Sequence, residues 1–309
     1  MRVVVALGGN ALSPPRGDGS VEEMREALTA TAAALADLVA TGTSLVLTHG
    51  NGPQVGRLLL QQELAADQVP PMPMDVCGAL SQGQVGYLVA QALDNALRRR
   101  RLDARVLTLV TQVVVDGRDP AFRRPSKPVG PSYDRAVAQA IAQASGHVFA
   151  IQSDGRWRRV VASPRPLRFV EQAPLRALVD SGSVVVAAGG GGVPVVEHRG
   201  QLRGVEAVVD KDRTAALLAV TVGADVLLVL TEVDRVQVGF GTPSARAVSS
   251  MTVAEAGAWL AAGEFPDGSM GPKVEACVSF VQAGGRAAIG ALGRAADVLA
   301  GRSGTAITR

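Results

Sequence analysis

The sequence of 309 residues predicts an α/β protein built on a large, mainly parallel sheet. Three observations lead there. Short, continuous apolar runs recur along the chain, as VVVAL (3–7), SLVLT (44–48), VVVAA (184–188), VLLVL (226–230) and AAIGAL (287–292). Helical patterns separate several of them, and glycine-rich breaks follow the first three. Strands buried on both faces are apolar throughout, and their alternation with helices is the signature of parallel pairing.

The first strand runs into GGNALSPPRGDG and then a helix from about Val21 to Ala40, closing near Gly42. The second runs into HGNGPQVG and a helical stretch through Leu58 to Ala66. Between Asp116 and about Pro166 the pattern changes. Pro120, Pro125, Pro128 and Pro131 interrupt regular structure, and RWRRVVASPRP reads as a hairpin edge, so an inserted subdomain is expected there. The stretch His198 to Leu202, after the run of glycines, is the linker candidate.

Composition narrows the function. Hydrophobic content of 47% and charged content of 19% are those of a soluble globular chain. A net charge of +3 and aromatic content of 3% give no nucleic-acid footprint, and the run Arg98 to Arg101 reads as a solvated helix end. No apolar run approaches the ~20 residues of a membrane helix. Val3 to Leu7 runs straight into a glycine turn, so no signal peptide is expected and a cytoplasmic location is. Cys77 and Cys277 suggest neither a disulfide framework nor a metal cluster.

Of 31 basic residues only three are lysines, Lys127, Lys211 and Lys273. A lysine kept where arginine prevails points to a task for a compact ammonium, such as following a moving phosphoryl group. Lys211 lies between Asp210 and Asp212 at a helix start. It reads either as a surface lysine beside an aspartate cap or as a lysine oriented to bridge phosphates. Lys273, in GSMGPKVEA, joins a helix N-terminus, a poor place for a cation unless an anion also binds. Lys127 sits between prolines in the inserted segment, where a loop lysine is ordinarily just solvated.

Gly8-Gly9-Asn10 follows a strand and precedes a helix, and Gly50-Asn51-Gly52-Pro53 repeats the design. Backbone amides in such turns cradle anions, and two turns together suggest one anion held between them. Among familiar sites, the phosphate loop with G-K-[ST], the dinucleotide fingerprint, the protein-kinase motifs and the G-x-S-x-G elbow are all missing. His49 reads as structural, and His49, His147 and His198 have no metal spacing. Cations, amides and aspartates without a general base suit an acceptor oxygen that already carries its charge, such as a carboxylate or carbamate.

Nine stretches, in order, resemble the carbamate kinases of the amino-acid kinase family. They are ALGGNAL (6–12), THGNGPQVG (48–56), PMDVCGALSQGQVGY (73–87), PSKPVGPSY (125–133), RRVVASPRPLRFVE (158–171), AAGGGGVPV (187–195), GVEAVVDKDRTAALLA (204–219), LTEVD (230–234) and GSMGPKVEA (268–276). The resemblance implies an open αβα sandwich with a small protruding subdomain, usually a homodimer. It divides the chain into a carbamate-binding lobe (1–200, with the subdomain at about 116–166) and a nucleotide-binding lobe (201–309). Gly8, Gly9, Asn10, Gly50, Asn51 and Gly52 would hold carbamate and the transferring phosphoryl group. Lys211 and Lys273 would neutralise phosphate oxygens, Asp212 would orient them, and Lys127 would close over the substrate. The stretch Thr231 to Asp234, with Thr231, Val233 and Asp234 foremost, and Met270 would help form the nucleotide pocket, together with Lys211 and Lys273.

The implied reaction is reversible, Mg²⁺-dependent phosphoryl transfer between ATP and carbamate, giving ADP and carbamoyl phosphate, with no resident metal site. Partners are these small molecules, without nucleic acid or membrane. Two alternatives are a kinase of the same fold with another small carboxylate or phosphonate acceptor, and a non-catalytic nucleotide-binding sensor. The chain departs from the family at Ser126, commonly Thr, and at Ser132, commonly Phe. The lost aromatic is expected to loosen the subdomain.

Overall fold

The computed structural model describes residues 1–12, 19–265 and 270–309, without the side chain of Asn10. Gly268 and Ser269, from the last of the nine stretches, lie outside the described residues.

An eight-stranded sheet forms the centre. Its spatial order is Ser250–Thr252, Thr305–Thr308, Arg286–Ala291, Val226–Thr231, Arg2–Leu7, Ser44–His49, Val184–Val186 and Val106–Thr108. Every neighbouring pair is parallel except Arg286–Ala291 with Thr305–Thr308. The first strand lies in mid-sheet, with Leu7 opposite both Leu230 and His49. One neighbour, Ser44–His49, follows it directly in the chain, and the other, Val226–Thr231, comes from the second half. The strand order therefore reverses beside it, and the Gly8-Gly9 turn lies at the carboxyl ends of the strands, where ligands of such sheets bind.

The pleat divides each strand between two cores. Val4, Ala6, Val46, Leu227 and Val229 face helices that include Lys211–Thr221 and Met270–Gln282. Val3, Val5, Leu7, Leu45 and Leu228 face Val21–Ala40 and Met74–Arg99. Strand residues that are apolar at every position are what such two-sided burial requires. The helix Val21–Ala40 begins at Ser20, whose hydroxyl accepts from the amide of Glu23, and Gly42 supplies a left-handed φ of 78° just beyond its end.

A second sheet orders Gln201–Gly204, Val193–His198, Gln112–Val115 and Pro166–Phe169. Residues 116–165 leave and rejoin it at paired positions, Val115 opposite Pro166. They carry a three-stranded sheet, Lys127–Tyr133, Trp157–Val161 and Phe149–Ile151, and the helix Arg135–Ser145. The edge of Tyr133 meets Phe149, with ring centroids 5.9 Å apart, one residue from Ser132.

Two expectations need correction. Trp157–Val161 is the central strand of the small sheet, paired on both sides, not an edge; its two arginines, Arg158 and Arg159, do not keep it from pairing on both sides. The stretch 198–202 is no linker but the tight turn of a hairpin, with His198 opposite Gln201 and positive φ at Arg199 and Gly200. Two left-handed residues match the twist of paired strands.

Candidate active site

The two glycine turns meet at the carboxyl ends of adjacent strands. The amide of Gly8 donates to the carbonyl of Leu230 at 3.0 Å, and that of Gly50 to the carbonyl of Leu7 at 3.3 Å. A Cβ on Gly50 would lie 3.6 Å from Cδ of Lys211 and 3.9 Å from Cα of Gly9. Both turns and the lysine stem are therefore packed together. Gly52 opens the helix Gly52–Leu64, whose N-cap position is Asn51. Asn51 is buried, and its Nδ2 donates to Oγ of Ser81 at 2.6 Å. His49 is also buried, with Nδ1 2.8 Å from the carbonyl of Gly50. Burial, offset in part by that carbonyl, lowers its pKa to about 4, and the Lys211 charge adds to the lowering. The ring is neutral near pH 7, so its Nδ1 contact is a donation to Gly50.

Lys211 begins the helix Lys211–Thr221, capped by Asp210. One oxygen of Asp210 accepts from the amides of Asp212 (2.9 Å) and Arg213 (3.3 Å), and the other from Nζ of Lys127 (2.6 Å). Asp212, almost wholly buried, places one oxygen on Nζ of Lys211 and the other 3.4 Å from Nζ of Lys273. Three ammonium groups thus share two aspartates at one helix start. The cap and the phosphate-bridging readings of Asp210-Lys211-Asp212 are compatible: Asp210 caps, and Lys211 is drawn inward rather than left on the surface.

Burial would raise the Asp210 carboxyl, but the Lys127 ammonium, assisted by the Arg213 amide and Lys211, holds it below the usual carboxylate range. Burial lowers the Lys273 ammonium; Asp212 opposes this and Lys211 reinforces it. An anion delivered here meets cations already stripped of much water, where charge interactions are strong.

A cleft of about 570 Å³ opens beside this constellation, lined by Gly8, Gly9, Lys211, Thr231, Glu232 and Lys273, with Ala11, Leu230 and Ala291–Gly293. Of the residues expected at a nucleotide pocket, Thr231, Lys211 and Lys273 line this cleft. Val233 and Asp234 stand exposed on the loop beyond, Asp234 beside Arg294 at 3.5 Å, and Met270 packs against the core under the sheet. Lys127 reaches the constellation through Asp210 rather than by lining the cleft. Glu232 falls within the stretch 231–234 expected at the nucleotide pocket, whereas sequence reasoning missed Leu292 and Gly293. Glu232 stands inside LTEVD, and Gly293 follows the apolar run AAIGAL, which has the same strand-then-glycine form as the turns that were recognised.

Residues 1–289 match the model of the amino acid kinase family. A carbamate kinase from Thermococcus kodakarensis is 48% identical over 100% of this chain and 99% of its own length. One from Pyrococcus horikoshii is 46% identical over 99% of each. The solved structure of carbamate kinase from Giardia lamblia bound to AMP-PNP superposes with a TM-score of 0.93 at 39% identity, covering 99% of this chain and 98% of that one. Matches of this extent settle the kinship: the chain belongs to the amino acid kinase family, among its carbamate kinases.

Proposed function

We propose that the chain catalyses reversible phosphoryl transfer between ATP and carbamate, forming ADP and carbamoyl phosphate. The observation that carries this reading is the pairing of Lys211 and Lys273 with the single carboxylate of Asp212, beside two glycine turns. Phosphoryl transfer needs alignment and charge neutralisation more than covalent chemistry. Lys211 and Lys273 neutralise the equatorial oxygens, and Asp212 holds both ammoniums in register. The amides of the Gly8-Gly9 and Gly50–Gly52 turns bind the anion, with Asn10 and Asn51 as neutral donors. Lys127 closes over the substrate from the protruding subdomain. The acceptor oxygen of carbamate is already ionised, so transfer proceeds directly and in line, with no base and no phosphoenzyme.

The nucleotide occupies the cleft lined by Thr231 and Glu232, in the lobe that follows residue 200. Val233, Asp234 and Met270 belong to its outer boundary. Among the described residues there is no group of three or more Asp, Glu, His or Cys that could hold a metal. Asp210 and Asp212 are committed to lysines, which leaves Glu232 as the carboxylate lining the cleft. This donor set fits Mg²⁺ carried chiefly by nucleotide phosphates and water. When bound, the ion neutralises phosphate charge.

A homodimer belongs to the same proposal. Val76, Leu80 and Tyr87 stand exposed at i, i+4 and i+11 on the helix Met74–Arg99, an apolar stripe that a second copy would cover. No described helix is long and apolar enough to cross a membrane.

The acceptor is tested by ADP release from Mg·ATP with carbamate, acetate, N-acetylglutamate, aspartate or a phosphonate as the acceptor. Turnover with carbamate alone is the expected result. Faster turnover with another acceptor would move the chain to a different kinase, and nucleotide binding without any turnover would make it a sensor.

A further inference from the structure

The stretch PMDVCGALSQGQVGY lines no part of the cleft, yet it contains two fully buried polar residues in succession. Ser81 is 0% and Gln82 is 1% exposed on the helix Met74–Arg99. Successive helical side chains point about 100° apart, so a single helix can grip two different loops.

Ser81 holds the first loop. Its hydroxyl accepts from Nδ2 of Asn51 at 2.6 Å and donates to the carbonyl of Gly78 at 2.7 Å. With both roles taken, the hydroxyl cannot rotate, and the Asn51 amide is aimed. Gln82 holds the second loop through the backbone of Thr111, donating to its carbonyl at 3.1 Å and accepting from its amide at 3.0 Å. Oγ1 of Thr111 in turn accepts from the amide of Ala188 at 3.1 Å, while Thr48 donates to the Ala188 carbonyl at 3.0 Å.

Ala188 needs this clamp. It has a φ of 54°, which a residue with a Cβ adopts only when its surroundings enforce it. From Ala188 the chain enters the Gly189–Gly191 turn, which backs the Gly50–Gly52 turn without a gap. A Cβ at Gly189 would lie 2.4 Å from the His49 ring, and one at Gly190 2.1 Å from Nδ2 of Asn51.

We infer that Ser81 and Gln82 are positioning residues of the anion cradle: Ser81 aims the Asn51 amide directly, and Gln82, through Thr111 and Ala188, holds the glycine turn that backs it. The inference rests on the phosphoryl-transfer reading. Neither residue touches substrate. Two polar side chains in a helix interior are costly unless bonded, and here their bonds go to the loops that shape the site.

The test compares Ser81→Ala, Ser81→Thr and Gln82→Met in the full chain, with KM for carbamoyl phosphate and for ADP, kcat and Tm measured for each. Ser81→Ala is expected to lower kcat/KM for carbamoyl phosphate by about tenfold or more, since small misplacements at a reacting centre are expensive. KM for ADP should stay within about twofold, because the Asn51 turn is not part of the nucleotide cleft. Ser81→Thr, which keeps the hydroxyl, should recover most of the loss, and Gln82→Met should show the same split between substrates. A purely structural role would lower Tm and leave the kinetics of the folded enzyme intact; that result, or an equal loss for both substrates, overturns the inference. Should the wild type itself fail to turn over, the functional reading falls, and the crystal structure of Ser81→Ala decides the positioning role alone. An Asn51 amide that has turned supports it, and an unmoved one refutes it.

Discussion

Nζ of Lys127 lies 2.6 Å from a carboxylate oxygen of Asp210, across 83 residues of sequence. Lys127 belongs to the protruding sheet, and Asp210 caps the helix that presents Lys211 and Asp212. One ion pair therefore joins the inserted segment to the helix that begins at Lys211. It also sets three expectations about how the site behaves when the pair or its neighbours are altered.

Lys127→Ala should raise KM for carbamoyl phosphate by about tenfold, the weight of one charge-assisted hydrogen bond. KM for ADP should move little. Initial-rate kinetics with each substrate varied in turn check this, and an unchanged carbamoyl phosphate dependence would return Lys127 to the ordinary surface.

Acid stability should depend on Asp210. Its carboxyl is held below the ordinary value of 3.8, so its contribution is fully present above that pH and is lost as pH falls through the lower folded value. Asp210→Asn keeps an N-cap while removing the charge. The Tm difference between wild type and Asp210→Asn should be largest above about pH 4 and should shrink below it, as thermal melts across that range will read.

Lys273 titrates with the opposite sense. Burial pulls its ammonium below 10.5, so a reaction that needs the charge loses it earlier on the alkaline side. The alkaline limb of kcat/KM should fall below pH 10.5, since this profile reports the free enzyme. Lys273→Arg should lose at least about tenfold in kcat despite keeping the charge, because a planar fork does not follow a moving phosphoryl as a point charge does. Wild-type turnover in that variant would remove Lys273 from the reaction.

Two glycines of like φ should respond differently to alanine. Gly42, at 78°, has open space where a Cβ would stand, so Gly42→Ala should cost about 1 kcal/mol from backbone strain alone. Gly190, at 66°, would drive its Cβ into the Asn51 amide, so Gly190→Ala should cost more stability and most of the activity. Equal melting temperatures and equal rates for the two variants would contradict the packed cradle.

Much of this was legible in the sequence because it depends on local pattern. The runs at 3–7, 44–48, 226–230 and 287–292 are apolar at nearly every position, which marks strands covered on both faces, and the helix from Val21 to Ala40 carries its cap and its closing glycine in plain view. The short strands Val106–Thr108, Ser250–Thr252 and Thr305–Thr308 were not recognised, since three or four residues have too little periodicity to read. In the site, the glycine turns and the three lysines stood out by residue type. Their partners did not: that Lys127 would pair with Asp210, or Ser81 with Asn51, depends on contacts across 83 and 30 residues, which no local pattern encodes. Leu292 and Gly293 were overlooked for the same reason, because only the fold brings them to the cleft.

The most direct measurement is the initial rate of ATP formation from ADP and carbamoyl phosphate with Mg²⁺ present, for the wild type and Lys273→Arg together. Steady turnover by the wild type and a rate at least about tenfold lower for the variant are expected. A wild type that forms no ATP, or two proteins of equal rate, would contradict the assignment of this lysine and aspartate constellation to phosphoryl transfer.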